Sequence, residues 1–238
     1  MRSAFRKLLR RLGFGVWKID SPETINFENL LWSVLEKDGG VFYLQIGAND
    51  GVFVDPIYEF ISRHSSKVRG VAVEPVPHTF EKLKRNLSAF PQVLPVCIAL
   101  HQSLKTMPMY CMKPEIANKR NPHAIGMASF DRDHLLRDNY LSESDIESYE
   151  VECCTVKELI ADFALEDINV LIIDTEGYDA KILEMVDLET IRPSIIRFEH
   201  GMKSDVMSKE TLLEIVSRLN SYGYQIIVED NDATAVLI

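Results

Sequence analysis

Apolar strand patterns alternate with helical patterns over most of this chain, and that alternation limits the fold more than any other feature of the sequence. The pattern begins with Val41–Ile46, which is nearly all apolar, as a central parallel strand buried on both faces should be. Strands that are joined by helices form a mainly parallel sheet with helices on both of its faces. We therefore predict a Rossmann-like α/β domain.

Further strands and helices follow from the same patterns. We expect an antiparallel hairpin at the C-terminal end, because residues 229–232 form a polar turn between two apolar runs, residues 224–228 and 233–238. Ser208 is the expected N-cap of the last helix, which runs to Leu219. The other predicted strands are Val68–Val73 and residues 93–100, 149–154, 170–174 and 194–198, and the other predicted helices are Val156–Phe163 and residues 55–62, 77–87 and 180–186.

The chain divides into a lead-in and one large domain, because 238 residues are too few for two ordinary enzyme domains. We assign residues 39–238 to the domain. Residues 103–148 interrupt the alternation over too great a length for a plain connection, and we predict an inserted hairpin and a lid there. Residues 1–38 include a basic amphipathic helix at residues 2–12, which suits a membrane surface, a transit peptide or packing on the domain edge.

Charge is distributed unevenly along the chain. Residues 1–19 contain six basic residues and no acidic one, and the remainder contains 20 basic and 36 acidic residues, so the net charge of −10 is the sum of +6 and −16. Nucleic-acid binding needs a basic face, so the acidic body argues against a nucleic-acid partner. We recognise no membrane span or secretory signal and expect a cytoplasmic protein, with residues 2–12 as the candidate for peripheral membrane contact.

The four cysteines do not follow a metal-binding or disulfide pattern. Cys97 and Cys111 are isolated, and Cys153 and Cys154 are adjacent in a predicted strand, so their side chains should point to opposite faces. We expect buried free thiols in a reducing compartment, and we predict no zinc site.

A glycine-containing turn follows the first strand directly. Its spacing is G-x-x-x-G, which differs from the G-x-G-x-x-G fingerprint of dinucleotide binding, and no GK[ST] sequence of a P-loop follows it. Small residues let the chain turn sharply beside a ligand at the carboxyl ends of the strands. An acid in this turn repels phosphate and suits a cationic group. The turn consists of Gly47, Ala48, Asn49, Asp50 and Gly51.

A second candidate binding residue stands at the end of the next strand. Glu74, which is followed by Pro75, can accept hydrogen bonds from both hydroxyls of a ribose. The alternative is an ordinary surface glutamate at a strand end. A nucleoside bound at Glu74 would place its base beside the end of the third strand, where we expect contact with Ala99 and Leu100.

Four sequence elements carry a family resemblance: residues 45–51 (QIGANDG), 73–75 (VEP), 128–130 (ASF) and 173–179 (IDTEGYD). In order and spacing they resemble the FkbM-type methyltransferases, a class I family, over about residues 40–230. The resemblance implies S-adenosylmethionine as cofactor and O-methylation of a sugar, glycan, lipid-linked saccharide or polyketide hydroxyl. A last antiparallel strand also distinguishes this sheet from the dinucleotide-binding one. Gln45 replaces the acid more usual in the family, which puts more weight on Asp50 and backbone carbonyls for holding the methionine amine.

Acids and one histidine at the ends of the fourth and fifth core strands are the candidates for catalysis. Methyl transfer to an alcohol gains from near-attack geometry and a positioned base. Asp174 and Glu176 can bind the methionine amine, orient the acceptor or accept its proton, or they can simply be acids at a helix N-terminus. His200 has the pKa range of a general base, and Glu199 can orient it. A magnesium site at these acids is a rival interpretation that we do not adopt.

Two other functions stay open at this point. The first is a nucleotide-dependent oxidoreductase on a similar sheet, against which the absent G-x-G-x-x-G sequence and the predicted C-terminal hairpin both argue. The second is a cofactor-binding module without catalysis, against which the joint presence of Asp50, Glu74 and Asp174 argues.

Overall fold

The computed structural model describes residues 27–119, 128–136, 141–201 and 207–238, so the helix predicted at residues 2–12 lies outside the described residues. The described α-helices are α1 (Phe27–Asp38), α2 (Tyr58–His64), α3 (Pro77–Asn86), α4 (Arg132–Leu136), α5 (Val156–Phe163), α6 (Asp179–Met185) and α7 (Lys209–Ser221). The described strands are β1 (Val41–Ile46), β2 (Val68–Val73), β3 (Val93–Val96), β4 (Ala99–Leu100), β5 (Thr106–Met112), β6 (Ala128–Ser129), β7 (Ile146–Cys154), β8 (Val170–Ile173), β9 (Ile195–Glu199), β10 (Tyr224–Val228) and β11 (Asp232–Leu237).

Seven strands form the central sheet, in the order β10-β11-β9-β8-β1-β2-β3. Neighbouring strands are parallel except that β11 is antiparallel to both β9 and β10. From β1 the sheet extends through β2 and β3 to one edge, and from β8 it extends to the other edge. A ligand crevice forms at such a reversal of strand order. The structure confirms the predicted α/β sheet of the class I methyltransferase type, mainly parallel with an antiparallel C-terminal strand.

The central strand β1 is buried along its whole length, which explains its nearly continuous apolar sequence. Leu44 and Ile46 belong to the hydrophobic cluster on one face, and Tyr43 belongs to the cluster on the other face, where α1 contributes Leu31. Position 70 on β2 requires glycine, because a Cβ atom there would lie 2.4 Å from the Tyr43 ring. The structure gives β1 and β2 the predicted bounds.

The inserted segment forms a second, four-stranded sheet in the order β4-β7-β5-β6. In this sheet β5 and β7 form an antiparallel hairpin, paired from Thr106 opposite Glu152 to Met112 opposite Ile146. β7 begins earlier than predicted, because its acidic first half alternates more buried and exposed side chains as a one-sided strand does. Residues 120–127 and 137–140 of the predicted lid lie outside the described residues.

The single strand predicted at residues 93–100 is wrong, because the chain forms two strands there. β3 ends at Val96 in the central sheet, whereas Ala99 and Leu100 pair with Cys153 and Cys154 of β7 in the second sheet. An apolar run fits either sheet equally well. The distant strand β7, which supplies the pairing partner, decides that the chain changes sheets.

The cysteines follow the expectation in part. Cys153 belongs to the hydrophobic cluster of the second sheet and Cys154 to a cluster of the central sheet, which confirms their opposite orientations. Cys111 is also buried. Cys97 is exposed, so the expectation of a buried thiol is wrong there, because this residue lies in the break between β3 and β4.

Helix ends follow local signals. The Ser208 hydroxyl accepts a hydrogen bond from the Thr211 amide at 3.1 Å, which confirms the predicted N-cap of α7. Thr155 and Glu158 form a capping box at the start of α5. Among the described helices, none combines the length and the apolar character that crossing a bilayer requires.

Candidate active site

An open cavity of about 660 Å³ lies at the carboxyl ends of β1, β2 and β8, where the strand order reverses, and the second sheet contributes to its wall. Of the predicted site residues, eight line it: Gly47, Asn49, Glu74, Pro75, Ala99, Leu100, Asp174 and Glu176. Five do not: Ala48, Asp50, Gly51, Glu199 and His200. The remaining lining residues are Ile46, Val73, Ile98, Met109, Ala128, Ser129, Phe130, Thr175, Tyr178 and Ile182.

The two glycines of the first turn are needed for different reasons. Gly47 has a φ of +83°, and a Cβ atom there would lie 1.7 Å from the carbonyl oxygen of Asp174. Gly51 has a φ of +73°, and its Cβ atom would lie 2.6 Å from the side chain of Leu83 on α3. The missing side chains therefore let the turn contact β8 on one side and α3 on the other, which brings strand ends and turn into one wall.

Glu74 joins the turn to the end of β2. One of its carboxylate oxygens accepts a hydrogen bond from the Asn49 amide at 3.0 Å, and the other accepts one from the Val76 amide at 2.9 Å. The side chain is only 5% exposed, and burial raises the pKa of Glu74 to about 7. Asn49 adopts a left-handed conformation with a φ of 49°, which asparagine tolerates better than most residues.

Asp50 and Gln45 shape the loop after the turn. One carboxylate oxygen of Asp50 accepts hydrogen bonds from the amides of Val52 and Phe53, at 2.9 and 2.8 Å. The Gln45 amide donates at 2.7 Å to Asp55, whose carboxylate also accepts hydrogen bonds from the amides of Ile57 and Tyr58 at the start of α2. Glutamine at position 45 thus donates a hydrogen bond to a half-buried carboxylate, which an ionised acid at the same position could not do.

Asp174 follows β8 at the floor of the cavity. Its amide donates to the Ile46 carbonyl at 2.9 Å, which continues the pairing of β1 with β8. The side chain is exposed to the open cavity, and the protein atoms around it still raise the pKa of Asp174 above its ordinary value. Desolvation of the carboxylate by the protein atoms around it is the first cause, and the nearby carboxylates of Asp179, Glu176 and Glu199 add to it. A ligand that fills the cavity would complete the desolvation of this acid.

Glu176 adopts a backbone conformation that is unusual for its residue type. Its φ is 51°, and Gly177 follows with a φ of 100°. The inserted segment holds this turn: the Ser129 hydroxyl donates to the Glu176 carbonyl at 3.5 Å, and the His134 Nε2 atom lies 3.9 Å from a Glu176 carboxylate oxygen. A strained conformation of this kind costs of order 1–3 kcal/mol and is typical of functional sites.

Among protein families, the model of the FkbM methyltransferase domain matches residues 45–226, which is most of the chain and includes every part of the cavity wall described above. This chain belongs to the FkbM methyltransferase family. No curated protein matches it in sequence.

Solved structures resemble this FkbM-family chain only distantly. A precorrin-6y C5,15-methyltransferase from Geobacter metallireducens is 15% identical, with 94% of each chain covered and a TM-score of 0.45. An O-methyltransferase from Bacillus cereus in complex with SAH is 12% identical, with 99% of this chain and 90% of that chain covered and a TM-score of 0.42. A Methanococcus jannaschii fibrillarin pre-rRNA processing protein is 13% identical, with 83% and 66% covered and a TM-score of 0.44. Resemblances this distant do not carry an activity to this chain.

Asp179 organises the end of β8 in the FkbM domain, and sequence reasoning did not single it out. Its carboxylate accepts hydrogen bonds from the amide and hydroxyl of Thr175, at 3.0 and 2.7 Å, and from the amide of Glu199 at 3.0 Å. Asp179 is only 1% exposed, and burial raises its pKa to about 6. The carboxylate thereby ties the loop after β8 to the end of β9. Its place at the end of the IDTEGYD element was the available signal.

Glu199 and His200 lie at the end of β9, behind the cavity wall. Burial raises the pKa of Glu199 to about 8, and one of its carboxylate oxygens is buried without a hydrogen-bond partner among the described residues. His200 is fully buried, and its amide donates to the Asn231 carbonyl in the C-terminal hairpin. Burial also lowers the pKa of the His200 imidazole, although the hairpin backbone and the charge of Asp232 act to raise it. His200 therefore links the end of β9 to the C-terminal hairpin.

An aromatic wall faces the acids, and sequence reasoning also missed it. Phe130 and Tyr178 line the cavity and meet edge to face at 5.1 Å, and His101 stacks on Tyr178 at 6.1 Å. Among the described residues, the ligand atoms of Asp174, Glu176 and Glu199 do not all lie within 4.8 Å of one another. The cavity thus combines a flat apolar wall with an acidic floor.

Proposed function

We propose that this FkbM-family chain is an S-adenosylmethionine-dependent methyltransferase that methylates a hydroxyl of a sugar, glycan, lipid-linked saccharide or polyketide-like acceptor. The observation that carries the proposal is the charge of the cavity. Glu74, Asp174 and Glu176 line it, and no basic side chain does among the described residues. Such a lining attracts the sulfonium and ammonium groups of S-adenosylmethionine and repels the diphosphate of a nicotinamide dinucleotide.

The fit of the cofactor divides among three strand ends. Each oxygen of Glu74 can accept another hydrogen bond besides those from the backbone, which suits the two hydroxyls of a ribose. Asp174 offers a carboxylate to the methionine amine, and the small residues of the first turn leave room for the ligand. We assign the ribose to Glu74 and the methionine amine to Asp174. The adenine is assigned to Pro75, Ala99 and Leu100, and the rest of the methionine part to Gly47 and Asn49. Ala48, Asp50 and Gly51 are assigned to shaping the turn.

When bound, the cofactor supplies a methyl group on a positively charged sulfur. The chain has to hold an acceptor oxygen in line with that methyl group and to receive the proton of the hydroxyl. Asp174 has two carboxylate oxygens, so one can hold the methionine amine while the other accepts the proton, and its raised pKa makes it a better proton acceptor near neutral pH. Glu176 suits orientation of the hydroxyl, with His134 beside it.

Glu199 and His200 take positioning roles in this proposal, because neither lines the cavity. Glu199 acts through Asp179, to which its amide donates, and His200 acts through the C-terminal hairpin. The aromatic wall favours a neutral acceptor: Phe130 and Tyr178 offer flat apolar faces to a sugar ring or a polyketide, and the acids disfavour a phosphorylated one.

The test is transfer of a labelled methyl group from S-adenosylmethionine to a panel of neutral saccharides, phosphorylated saccharides, polyketide alcohols and amines. We expect label on hydroxyls of neutral acceptors. Asp174→Asn should lower kcat at least about 100-fold, because it removes the proton acceptor. Asp167→Asn, an exposed acid at a loop, should leave the rate unchanged. Label on amines alone, or full activity of Asp174→Asn, would contradict the proposal.

A further inference from the structure

Three side chains with different ligand atoms converge outside the cavity. Cys111 of β5 and Glu147 of β7 stand directly opposite each other in the antiparallel pair, and cross-strand neighbours place their side chains on the same face. His78, in the first turn of α3, completes the group. One nitrogen, one sulfur and one carboxylate oxygen of these residues all lie within 4.8 Å of one another.

The histidine of this group has an unused polar atom. The Nδ1 atom of His78 is buried and has no hydrogen-bond partner among the described residues. Leaving a buried polar atom without a partner is unfavourable, and such an atom in a native structure calls for a ligand or another explanation. This observation is independent of the convergence of the three side chains.

A neighbouring tyrosine already orients the carboxylate. The Tyr149 hydroxyl donates to one oxygen of Glu147 at 2.7 Å, and the Tyr149 ring lies 5.9 Å from the ring of His78. Outer groups that hold a ligating carboxylate are typical of metal sites. Because a carboxylate oxygen can accept more than one contact and the group has two oxygens, Glu147 can bind a metal ion while it keeps this hydrogen bond.

We propose that His78, Cys111 and Glu147 bind a zinc ion, with Tyr149 as the outer partner of Glu147. Zinc accepts nitrogen, sulfur and oxygen ligands together, whereas magnesium and calcium require oxygen ligands and would not use the cysteine. The thiol loses its proton to solvent on binding, and the thiolate and carboxylate then balance the charge of the ion. Three protein ligands leave a fourth position of the tetrahedron for water.

The geometry needs only a small closure. Zinc bonds of about 2.0 Å to nitrogen and about 2.3 Å to sulfur hold the ligand atoms closer together than 4.8 Å. Side-chain rotations that move each ligand atom by roughly 1 Å would therefore complete the site. The ion would join the start of α3, just after Glu74, to the inserted β5–β7 hairpin. This inference does not depend on the proposed methyl transfer, since the three residues lie outside the cavity lining.

The test is titration of the full chain, freed of metal by a chelator, with Co²⁺ as a spectroscopic probe and then with Zn²⁺. We expect one equivalent of Co²⁺ to give a thiolate-to-cobalt charge-transfer band, and Zn²⁺ to abolish it. Cys111→Ser should remove the band, and His78→Asn and Glu147→Gln should each weaken binding. Tyr149→Phe should weaken it by roughly 10–100-fold.

Two matched variants serve as controls: Cys97→Ser, which removes an exposed thiol, and Glu152→Gln, which changes an exposed acid on the same strand. Both should bind Co²⁺ as the wild type does. Zn²⁺ should also raise the Tm of the wild type and of both controls, and should raise that of Glu147→Gln by less at the same concentration. Absence of the band in folded wild-type protein, or a band that survives Cys111→Ser or disappears in Cys97→Ser, would overturn the proposal. If Cys111→Ser does not fold, full binding by both His78→Asn and Glu147→Gln would overturn it as well.

Discussion

Single residues in this protein are best understood by what their side chains contact. Gly47 and Gly39 both have positive φ values, +83° and +77°, but their surroundings differ. A Cβ atom at Gly47 would overlap the carbonyl oxygen of Asp174, whereas a Cβ atom at Gly39 would meet nothing within 4 Å. Comparing substitutions at Gly39 and Gly47 therefore distinguishes the cost of backbone strain alone from the added cost of close packing against Asp174.

We expect Gly47→Ala to lower the free energy of unfolding by at least about 3 kcal/mol, since it adds a backbone overlap to the strain of the left-handed conformation. Gly39→Ala should cost only about 1–2 kcal/mol, the strain alone. Urea unfolding followed by circular dichroism measures both values. Equal losses in the two variants would show that the contact between the turn and Asp174 is not tight.

The buried acid Glu199 gives a pH-dependent prediction. Its pKa is about 8 in the folded protein and about 4.5 when exposed, so the folded state keeps the proton over a range in which the unfolded chain has lost it. The stability that this group contributes is complete below pH 4.5 and is lost as the pH rises to about 8. Glu199→Gln should therefore be close to the wild type at pH 5 and up to about 5 kcal/mol more stable at pH 9.

Urea unfolding at both pH values is the measurement for Glu199→Gln, with Glu189→Gln, an exposed acid, as the control that should change neither value. A wild-type protein that matches Glu199→Gln in stability at pH 9 would show that the carboxylate is not desolvated.

The acids also show what sequence reasoning can and cannot find at this scale. Glu74, Asp174 and Glu176 were predicted from their positions after strands, and all three line the cavity. Asp50 also follows a strand, yet its carboxylate turns to the amides of Val52 and Phe53. Which way a side chain turns depends on donors nearby in space, and the sequence alone does not give those.

At the scale of elements, the inserted segment supplies part of the cavity wall beside the ends of the central strands. β6 supplies Ser129, the residue after it is Phe130, and α4 places His134 beside Glu176. The bounds of β1, β2 and α5 were predictable because an apolar run or a capping box decides them locally. The division of residues 93–100 between two sheets was not, because a partner strand far along the chain decides it.

We expect His134→Asn to lower kcat of methyl transfer at least about tenfold and to leave S-adenosylhomocysteine binding within about twofold, because His134 contacts Glu176 and not the residues assigned to the cofactor. Steady-state assays and calorimetry measure the two effects. Arg132→Gln, an exposed change on the same helix, should alter neither. A large loss of S-adenosylhomocysteine affinity in His134→Asn would assign the histidine to the cofactor instead.

At the scale of the whole molecule, charge and topology point to the same ligand. The strand order reverses between β1 and β8, so the crevice opens where the glycine turn, Glu74 and Asp174 meet. Acids line that crevice within a chain of net charge −10. A cationic nucleoside therefore suits both the site and its surroundings, and the fold of the FkbM family provides the frame for it.

The most direct test of this account is calorimetric titration of the purified chain with S-adenosylhomocysteine and, separately, with NAD. We expect saturable binding of S-adenosylhomocysteine, no binding of NAD, and a loss of affinity of roughly tenfold or more in Glu74→Gln, because hydrogen bonds to a charged group contribute about 1.5–3 kcal/mol. Glu81→Gln, an exposed change on α3, should bind as the wild type does. Binding of NAD by folded protein that does not bind S-adenosylhomocysteine would contradict the account and would favour an oxidoreductase.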